Sequence, residues 1–286
     1  MSKTTAEIRA GFRARLAKPE IVVAPGVHDA ISALLAEQAG FEAVFFAGSA
    51  MAVSHLGRTD VGLLTLAEIA AIVQRAADRV SIPIMVDVDS AFGAAPHAAR
   101  AMQVFERAGA AGVQVEDQQV VKPNDALLSR PLVPVAEMQA KIRAMVDVRE
   151  SPDMLLSART DAKDPDELVE RLLAYREAGA DLVFPEGTTD TAVLRRLREQ
   201  LGDGVPLVYN NHYPDAELTG AAGLEGLGVS LALFPVHGVR ASVLAMRDAF
   251  AALAADPDLA GGGRHPMRSA DVDDILDSGA YLARFR

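Results

Sequence analysis

The chain has 286 residues, of which 50% are hydrophobic, and it carries 39 acidic and 28 basic residues for a net charge of −11. This size allows a large core in one big domain or two small ones, and the acidic balance argues against non-specific binding to nucleic acid. The absence of cysteine excludes disulfides, thiolate metal sites and a catalytic Cys.

Short apolar runs alternate with longer amphipathic segments along the chain. The predicted strand and helix pairs, in chain order, are Ile21–Ala24 with Asp29–Gln38, Glu42–Phe46 with Leu66–Val80, Pro83–Val86 with Pro96–Ala108, Gly112–Val115 with Val135–Asp147, Met154–Ala158 with Pro165–Ala178, Leu182–Phe184 with Thr191–Gln200, Pro206–Tyr209 with Asp215–Ala221, and Val229–Phe234 with Val239–Ala254. The strands are continuously apolar, which is typical of strands buried on both faces of a parallel sheet. Eight such units predict an α/β fold of the (β/α)₈, or TIM, barrel type.

Local signals support these boundaries. Thr65 and Glu68 form a capping box before a helix. A weak internal repeat places Gly40, Gly109 and Gly179 between a helix end and the next strand, the position that favours a left-handed glycine.

A glycine run at 261–263 divides the chain into a predicted barrel domain, residues 1–260, and a tail, residues 261–286. Apolar residues within Met267–Arg286 predict a helical arm in two pieces. The arm either packs on its own barrel or is exchanged with a neighbouring subunit, which the glycines would permit. We expect the second arrangement, in a homo-oligomer that is a tetramer.

The N-terminal residues 1–18 carry charges throughout and lack the apolar core of a secretory signal. The most apolar early stretch, Ala43–Val53, is shorter than the roughly 20 residues that span a bilayer. We therefore expect a soluble, cytoplasmic protein without a membrane or nucleic-acid partner.

Polar residues follow the predicted strands at the end of the barrel where TIM-barrel active sites lie. They are Asp87, Asp89, Glu116, Arg159, Glu186 and Asn210. Three carboxylates on adjacent strands need a counter-charge, and Mg²⁺ suits oxygen ligands of this kind. The sequence thus predicts a Mg²⁺ site at Asp87, Asp89 and Glu116; alternatively, some of these residues cap loops or pair with Arg159.

Seven motifs in order resemble the isocitrate lyase/phosphoenolpyruvate mutase superfamily over nearly the whole chain, and its methylisocitrate lyase-like and carboxyphosphonoenolpyruvate mutase-like branches in particular. The motifs are Phe46–Ser49, Gly57–Gly62, Val86–Gly93, Val115–Gln118, Ala158–Asp161, Phe184–Glu186 and Leu233–Pro235. The resemblance implies an enzyme that forms a metal-stabilised enolate of a 2-oxo acid, with Mg²⁺ (or Mn²⁺) bound directly by Asp87 and partly through waters by Asp89 and Glu116. It implies Asp60 as an acid in the metal shell or facing a phosphoryl group.

The resemblance also implies how a small carboxylate substrate binds. Backbone N–H groups would contact its carboxylate at Ala47, Gly48 and Ser49. Arg159 would contact a substrate oxygen, and Glu186 and Asn210 its far end.

The loop Gln118–Pro131 departs from the lyases, which carry a Cys that protonates the departing enolate. Asn124 falls at that position, so the usual lyase acid is missing. Lys122 and Asn124 instead resemble the Lys-x-Asn-Ser loop of phosphoenolpyruvate mutase, although Asp125 replaces the Ser. The loop is long for a βα connection, where about 2–6 residues are usual, and we expect it to act as a lid.

Two further departures concern other strand ends. Ala47 stands where lyases often have Ser, and Glu186 where the mutase branch tends to have His. His212 and His237, near the seventh and eighth strand ends, are either general acid/base residues or solvated or structural ones, and the second interpretation is the better supported.

The leading hypothesis is a Mg²⁺-dependent lyase that cleaves or forms a C–C bond next to a small 2-oxo or 2-hydroxy carboxylate. The alternatives are C–P bond chemistry, as in a phosphonopyruvate mutase or hydrolase, decarboxylation or hydrolysis of an oxaloacetate-like acid, and a catalytically silent ligand-binding homologue. Asp87, Asp89, Glu116 and Arg159 argue against the silent homologue.

Overall fold

The computed structural model describes residues 3–119, 131–211, 220–257 and 267–285. Eight parallel strands close into a barrel in chain order, which confirms the predicted (β/α)₈ fold. The strands are β1 (Val22–Val27), β2 (Val44–Phe46), β3 (Ile84–Asp87), β4 (Gly112–Glu116), β5 (Leu155–Thr160), β6 (Leu182–Pro185), β7 (Leu207–Asn210) and β8 (Val229–Phe234). Each one overlaps a predicted strand, and the bounds differ by a few residues at most.

The helices lie before, between and after these strands in the chain. They are α1 (Thr5–Leu16), α2 (Ala30–Gln38), α3 (Gly48–Met51), α4 (Leu66–Ala77), α5 (Ala95–Arg107), α6 (Val135–Val148), α7 (Pro165–Glu177), α8 (Thr191–Leu201), α9 (Ala221–Gly226), α10 (His237–Ala255), α11 (Ser269–Leu276) and α12 (Ser278–Ala283), with a π-helical segment at Ala52–Leu56. The sequence analysis missed α1, α3 and the π-helical segment. Most of the predicted helix Asp215–Ala221 lies outside the described residues, and α9 begins at its last residue.

The predicted helix boundaries have the expected geometry. The Thr65 side chain accepts a hydrogen bond from the Glu68 N–H, and the Glu68 side chain accepts one from the Thr65 N–H, which completes the capping box. Gly40, Gly109 and Gly179 have φ values of 90°, 92° and 112°. Side chains other than glycine rarely adopt this conformation, so these glycines end their helices as predicted.

One cluster of buried apolar side chains fills the barrel interior below its carboxyl end. Its strand members include Val22, Phe45, Met85, Leu155, Phe184, Val208 and Leu231. Side chains alternate along a strand, so residues two or four positions further along point the same way. The apolar core therefore directs Asp87, Arg159, Glu186 and Asn210 into the barrel mouth.

The chain forms two compact units, Met1–Val239 and Arg240–Arg286. The second unit contains α11 and α12, which confirms the predicted two-piece helix, and neither of these helices buries a side chain. The domain boundary at residues 260/261 and the exchange of the arm between subunits stay predictions. In the described parts of the chain, no helix combines the length and the apolar character that crossing a membrane would require.

Candidate active site

The end of β3 and the turn after β2 meet at Asp87. Its Oδ2 accepts a hydrogen bond from the Gly48 N–H at 3.2 Å, and its Oδ1 accepts one from the Asp89 N–H at 3.1 Å. The side-chain amide of Gln114, the register partner of Asp87 on β4, donates to the same Oδ1 at 3.4 Å. Asp87 is thus a buried carboxylate whose orientation is fixed from three directions.

Gly48 begins the short helix α3, and a side chain there would crowd Asp87. A methyl group at Gly48 would lie 3.2 Å from Asp87 Oδ2 and 3.6 Å from Asp60 Oδ2. The predicted site residues Asp60 and Asp87 are therefore brought to the same point. Ala47 and Ser49 flank this point in the chain, and the Gly48 N–H that was predicted for a substrate carboxylate donates to Asp87 here.

Glu116 and Arg159 are register partners at the ends of β4 and β5, and both are buried. Arg159 Nε lies 3.5 Å from Glu116 Oε2. Burial raises the pKa of Glu116 well above its ordinary value; Arg159 opposes this, while the charges of Asp161, Asp89 and Asp87 add to it. Among the described residues, Arg159 therefore faces several carboxylates at this end of the barrel.

Arg159 is held in a fixed orientation. Its Nε and Nη2 donate to the two carboxylate oxygens of Asp161, both at 2.9 Å, and its guanidinium lies 5.5 Å from the centre of the Phe184 ring. Burial alone would lower the pKa of Arg159, but Glu186, Asp161 and Glu116 outweigh burial and raise it well above its ordinary value. The guanidinium is a permanent positive charge in the pocket.

Glu186 and Asn210 come from the ends of β6 and β7. The Asn210 side-chain amide donates to both Glu186 carboxylate oxygens, at 3.3 and 3.2 Å. Glu186 Oε2 lies 3.8 Å from Arg159 Nη1. The structure thus gathers Glu116, Arg159, Glu186 and Asn210 into one polar wall, as the strand-end argument predicts.

A second polar network lies on the outer side of the same strand ends, and sequence reasoning missed it. Asp117, with 0% exposure, accepts hydrogen bonds from Thr160 Oγ1 at 2.6 Å, Tyr175 Oη at 2.7 Å and Arg171 Nη1 at 3.2 Å. The Asp161 N–H adds a fourth at 3.3 Å. The only sequence signal is that Asp117 follows Glu116 directly and so points to the opposite face.

Several predicted residues are not part of this wall. Lys122, Asn124 and His212 lie outside the described residues, as does most of the predicted lid loop. His237 is exposed at the first residue of α10, as expected of a solvated histidine.

The chain is similar to known proteins over nearly its whole length. The family model described as "Phosphoenolpyruvate phosphomutase" matches residues 12–254. The 2,3-dimethylmalate lyase of Eubacterium barkeri is 38% identical over 270 residues, covering 93% of each chain. The chain belongs to the phosphoenolpyruvate phosphomutase family. The predicted superfamily resemblance is confirmed.

Members of this family with different named activities are similar to the chain. The 2-methylisocitrate lyase of Bacillus subtilis (strain 168) is 37% identical over 251 residues, covering 85% of this chain and 81% of the relative. A solved structure of phosphonopyruvate hydrolase in complex with oxalate and Mg²⁺ has a TM-score of 0.87 at 27% identity and covers 98% of each chain. The chain is therefore similar both to lyases and to a phosphonopyruvate hydrolase.

The residues at the mouth fit a divalent cation of the Mg²⁺ type. Within the described ranges, no three His, Asp or Glu side chains form a group that could hold a metal by themselves. Mg²⁺ usually keeps several waters and takes only one or two protein carboxylates, so a full set of side-chain ligands is not needed. Asp87 and Glu116 are buried carboxylates that could supply such oxygens, and Asp89 and Asp161 lie close enough to Glu116 to add to the rise in its pKa that burial causes.

Proposed function

We propose that this protein is a Mg²⁺-dependent lyase that cleaves or forms the C–C bond next to a small 2-oxo or 2-hydroxy carboxylate. The observation that carries this proposal is the convergence of Asp87, Glu116 and Arg159 at one mouth of the barrel, in a chain that is 38% identical to a 2,3-dimethylmalate lyase. A 2-oxo acid product has carboxylate and keto oxygens. A cation and the Arg159 guanidinium, placed side by side, would bind these oxygens.

Different residues of the polar wall bind different parts of the substrate. Arg159, fixed by Asp161, binds a substrate oxygen, while Glu186 and Asn210 contact the far end of the substrate. Backbone N–H groups at Ala47, Gly48 and Ser49 contact its carboxylate, for which the Gly48 N–H would exchange Asp87 for the substrate, and Asp60 lies beside them. When bound by Asp87, Asp89 and Glu116, Mg²⁺ (or Mn²⁺) would supply positive charge for the oxyanion of an enolate.

Cleavage of a 2-hydroxy acid at the C2–C3 bond removes the hydroxyl proton, leaves a 2-oxo acid, and requires a proton for C3 of the other fragment. The chain has no cysteine to deliver that proton. Another group must do so, and Asn124 cannot be that acid near neutral pH.

A panel of 2-hydroxy, 2-oxo and phosphono acids, incubated with the protein and Mg²⁺ and followed by ¹H and ³¹P NMR, tests the proposal. We expect one 2-hydroxy or 2-oxo dicarboxylic acid to give two carboxylate fragments. Release of inorganic phosphate from phosphonopyruvate, with no C–C product from any acid, would contradict it.

The metal assignment has a separate test. Excess EDTA and the change Asp87→Ala should each abolish turnover without unfolding the barrel, and Asp147→Ala, at an exposed position of α6, is the control. Full activity in excess EDTA would refute the assignment.

C–P bond chemistry is the second candidate, and the solved hydrolase complex and the Lys122-x-Asn124 pattern favour it. If the loop lies over the reacting centre, Asn124→Ala should lower kcat about 10²–10³-fold. Asn124→Cys separates the two chemistries: the added thiol should raise C–C cleavage in a lyase and only damage a phosphoryl-transfer enzyme.

For assembly, we propose a cytoplasmic homotetramer in which the 261–286 arm is exchanged between subunits. Support comes from the second compact unit, where Phe250, Tyr281 and Phe285 are 66%, 59% and 73% exposed in the single chain. Light scattering should give a tetramer, and deletion of residues 261–286 should give smaller species. A monomer at micromolar concentration would contradict the exchange.

A further inference from the structure

Lys141 is a fully buried cation on the outer side of the barrel wall. It lies on α6, has 0% exposure, and its ammonium donates a hydrogen bond to the backbone carbonyl of Ser90 at 3.2 Å. Glu137 Oε1, one turn earlier on the same helix, is 3.8 Å away. Burying an ammonium group is costly unless it is paired, so this position requires an explanation.

The carbonyl that Lys141 contacts belongs to the segment that follows β3. In this segment Asp89, Ala91 and Phe92 have φ values of 48°, 62° and 62°. Each such conformation costs a residue other than glycine on the order of 1–3 kcal/mol and persists only where the surroundings hold it. Segment 88–92 is therefore strained, and it carries Asp89 of the proposed metal site.

Three backbone contacts and Lys141 hold the strained segment. The Glu116 N–H donates to the Asp89 carbonyl at 2.9 Å, the Ala91 N–H to the Val88 carbonyl at 2.9 Å, and the Val88 N–H to the Gln114 carbonyl at 3.0 Å. These bonds tie the segment to β4 and to itself. The hydrogen bond from Lys141 connects the segment to α6 in the outer helix layer, and it is made to Ser90, the residue between Asp89 and Ala91.

The Lys141 ammonium interacts electrostatically with several carboxylates. Burial lowers its pKa, while Glu137, Asp117 and Glu116 act in the opposite direction. Lys141 is therefore close enough to the carboxylates at the end of β4 for an electrostatic interaction with them. The apolar stem of the side chain can cross the buried helix–sheet layer, which lets one residue of an outer helix place a cation there.

We propose that Lys141 is a positioning residue for the metal site, which fixes the Ser90 carbonyl from behind the barrel wall and so holds Asp89 in its left-handed conformation beside Asp87. The proposal rests on the metal site of the proposed function. Outer partners of metal-binding residues change metal affinity by about 10–100-fold when they are removed. Lys141 would act in this way through the backbone, without touching substrate.

Titration calorimetry with Mg²⁺ on the full chain tests the proposal. Lys141→Met keeps the length of the stem and removes the ammonium; we expect its Mg²⁺ dissociation constant to rise by about 10–100-fold. Lys18→Met, at an exposed position after α1, is the matched control and should bind Mg²⁺ as the wild type does. An unchanged dissociation constant in folded Lys141→Met would overturn the proposal, because a residue that only stabilises the fold would lower the melting temperature and leave Mg²⁺ affinity intact.

Two further measurements keep the test decisive. If Lys141→Met does not fold, Lys141→Gln, which is shorter but still polar, takes its place with the same expected direction. If the wild type binds no Mg²⁺, the metal site of the proposed function fails on its own. Hydrogen exchange of residues 88–92 without metal then tests Lys141: faster exchange in the variant supports it as the holder of this segment, and equal exchange overturns it.

Discussion

The two faces of the β4 and β5 ends carry opposite kinds of polar chemistry. On the inner face, Glu116, Asp161 and Glu186 surround the Arg159 guanidinium. Burial raises the pKa of both Glu116 and Asp117, but neighbouring carboxylates add to the rise at Glu116, whereas hydrogen bonds from Thr160 and Tyr175 oppose it at Asp117. On the outer face, Asp117 is a single carboxylate with four hydrogen-bond donors. A carboxylate surrounded by donors stabilises a fold, whereas several acidic groups and one arginine with perturbed pKa values in a barrel mouth are typical of a functional site.

Removal of the outer carboxylate is the most damaging change expected. Asp117→Ala leaves Arg171 only the half-exposed Glu167 as a carboxylate partner among the described residues, and it leaves the Thr160 and Tyr175 hydroxyls without their acceptor. We expect a loss of about 3–5 kcal/mol in the free energy of unfolding. Urea denaturation measures this loss, with exposed Asp147→Ala as the control. A loss below about 1 kcal/mol would mean that the outer network is not structural.

The inner face should respond in activity instead of stability. Arg159→Lys keeps the charge but loses the paired hydrogen bonds to Asp161, so we expect kcat/KM to fall about 10²–10³-fold with the melting temperature nearly unchanged. Arg195→Lys, exposed on α8, should behave as the wild type. Equal kcat/KM in the Arg159 and Arg195 variants would remove the functional contrast between the two faces.

A smaller change within the outer network sharpens the contrast. Tyr175→Phe removes one donor to Asp117, and we expect a loss of about 1–3 kcal/mol in stability with KM unchanged. Burial raises the pKa of Tyr175, and Asp117 adds to that rise, so the hydroxyl stays protonated as a donor at all working pH values. Tyr281→Phe, at an exposed tyrosine, is the control; a changed KM in Tyr175→Phe would connect the outer network to substrate binding.

His28, directly after β1, is a buried titratable residue outside both polar networks, and a variant of it shows whether it acts on stability or on catalysis. Its Nδ1 has no hydrogen-bond partner among the described residues. Burial lowers the pKa of His28 below its ordinary 6.5; Asp29 opposes this and His55 adds to it. The unfolded chain therefore binds this proton more readily, so the stabilising contribution is present above pH 6.5 and is lost as the pH falls below it.

His28→Gln should flatten the fall in unfolding free energy between about pH 6.5 and pH 5, by at most about 1.4 kcal/mol per pH unit, and leave kcat unchanged. Urea midpoints at several pH values measure the slope, and exposed His97→Gln should keep the wild-type slope. A drop in kcat for His28→Gln would instead place this residue in the active site.

The sequence predicted best what depends on local pattern. Continuous apolar runs located the eight strands, and the position of TIM-barrel active sites at the carboxyl ends of the strands then placed Asp87, Arg159 and Asn210 at one mouth. Helix α1 was missed although Thr4 and Glu7 form the same capping box as Thr65 and Glu68. This capping box can be found in the sequence, but the many charges of residues 1–18 were interpreted only as evidence against a secretory signal.

Contacts between distant segments could not be predicted in this way. Asp117 meets Thr160 and Tyr175 across 43 and 58 residues, and Lys141 meets Ser90 across 51. Such pairs follow from the register of neighbouring strands and the packing of the helix layer, which periodicity within one segment does not encode.

The closed sheet also limits how copies of this protein can associate. Because β1 pairs with β8, the barrel has no edge strand with a free row of main-chain donors and acceptors. A second polypeptide cannot extend the sheet by strand addition, which is a common route to amyloid-like growth. Contacts between folded barrels are left to side chains on helices and loops, where a few charged substitutions are enough to choose or reject a neighbour.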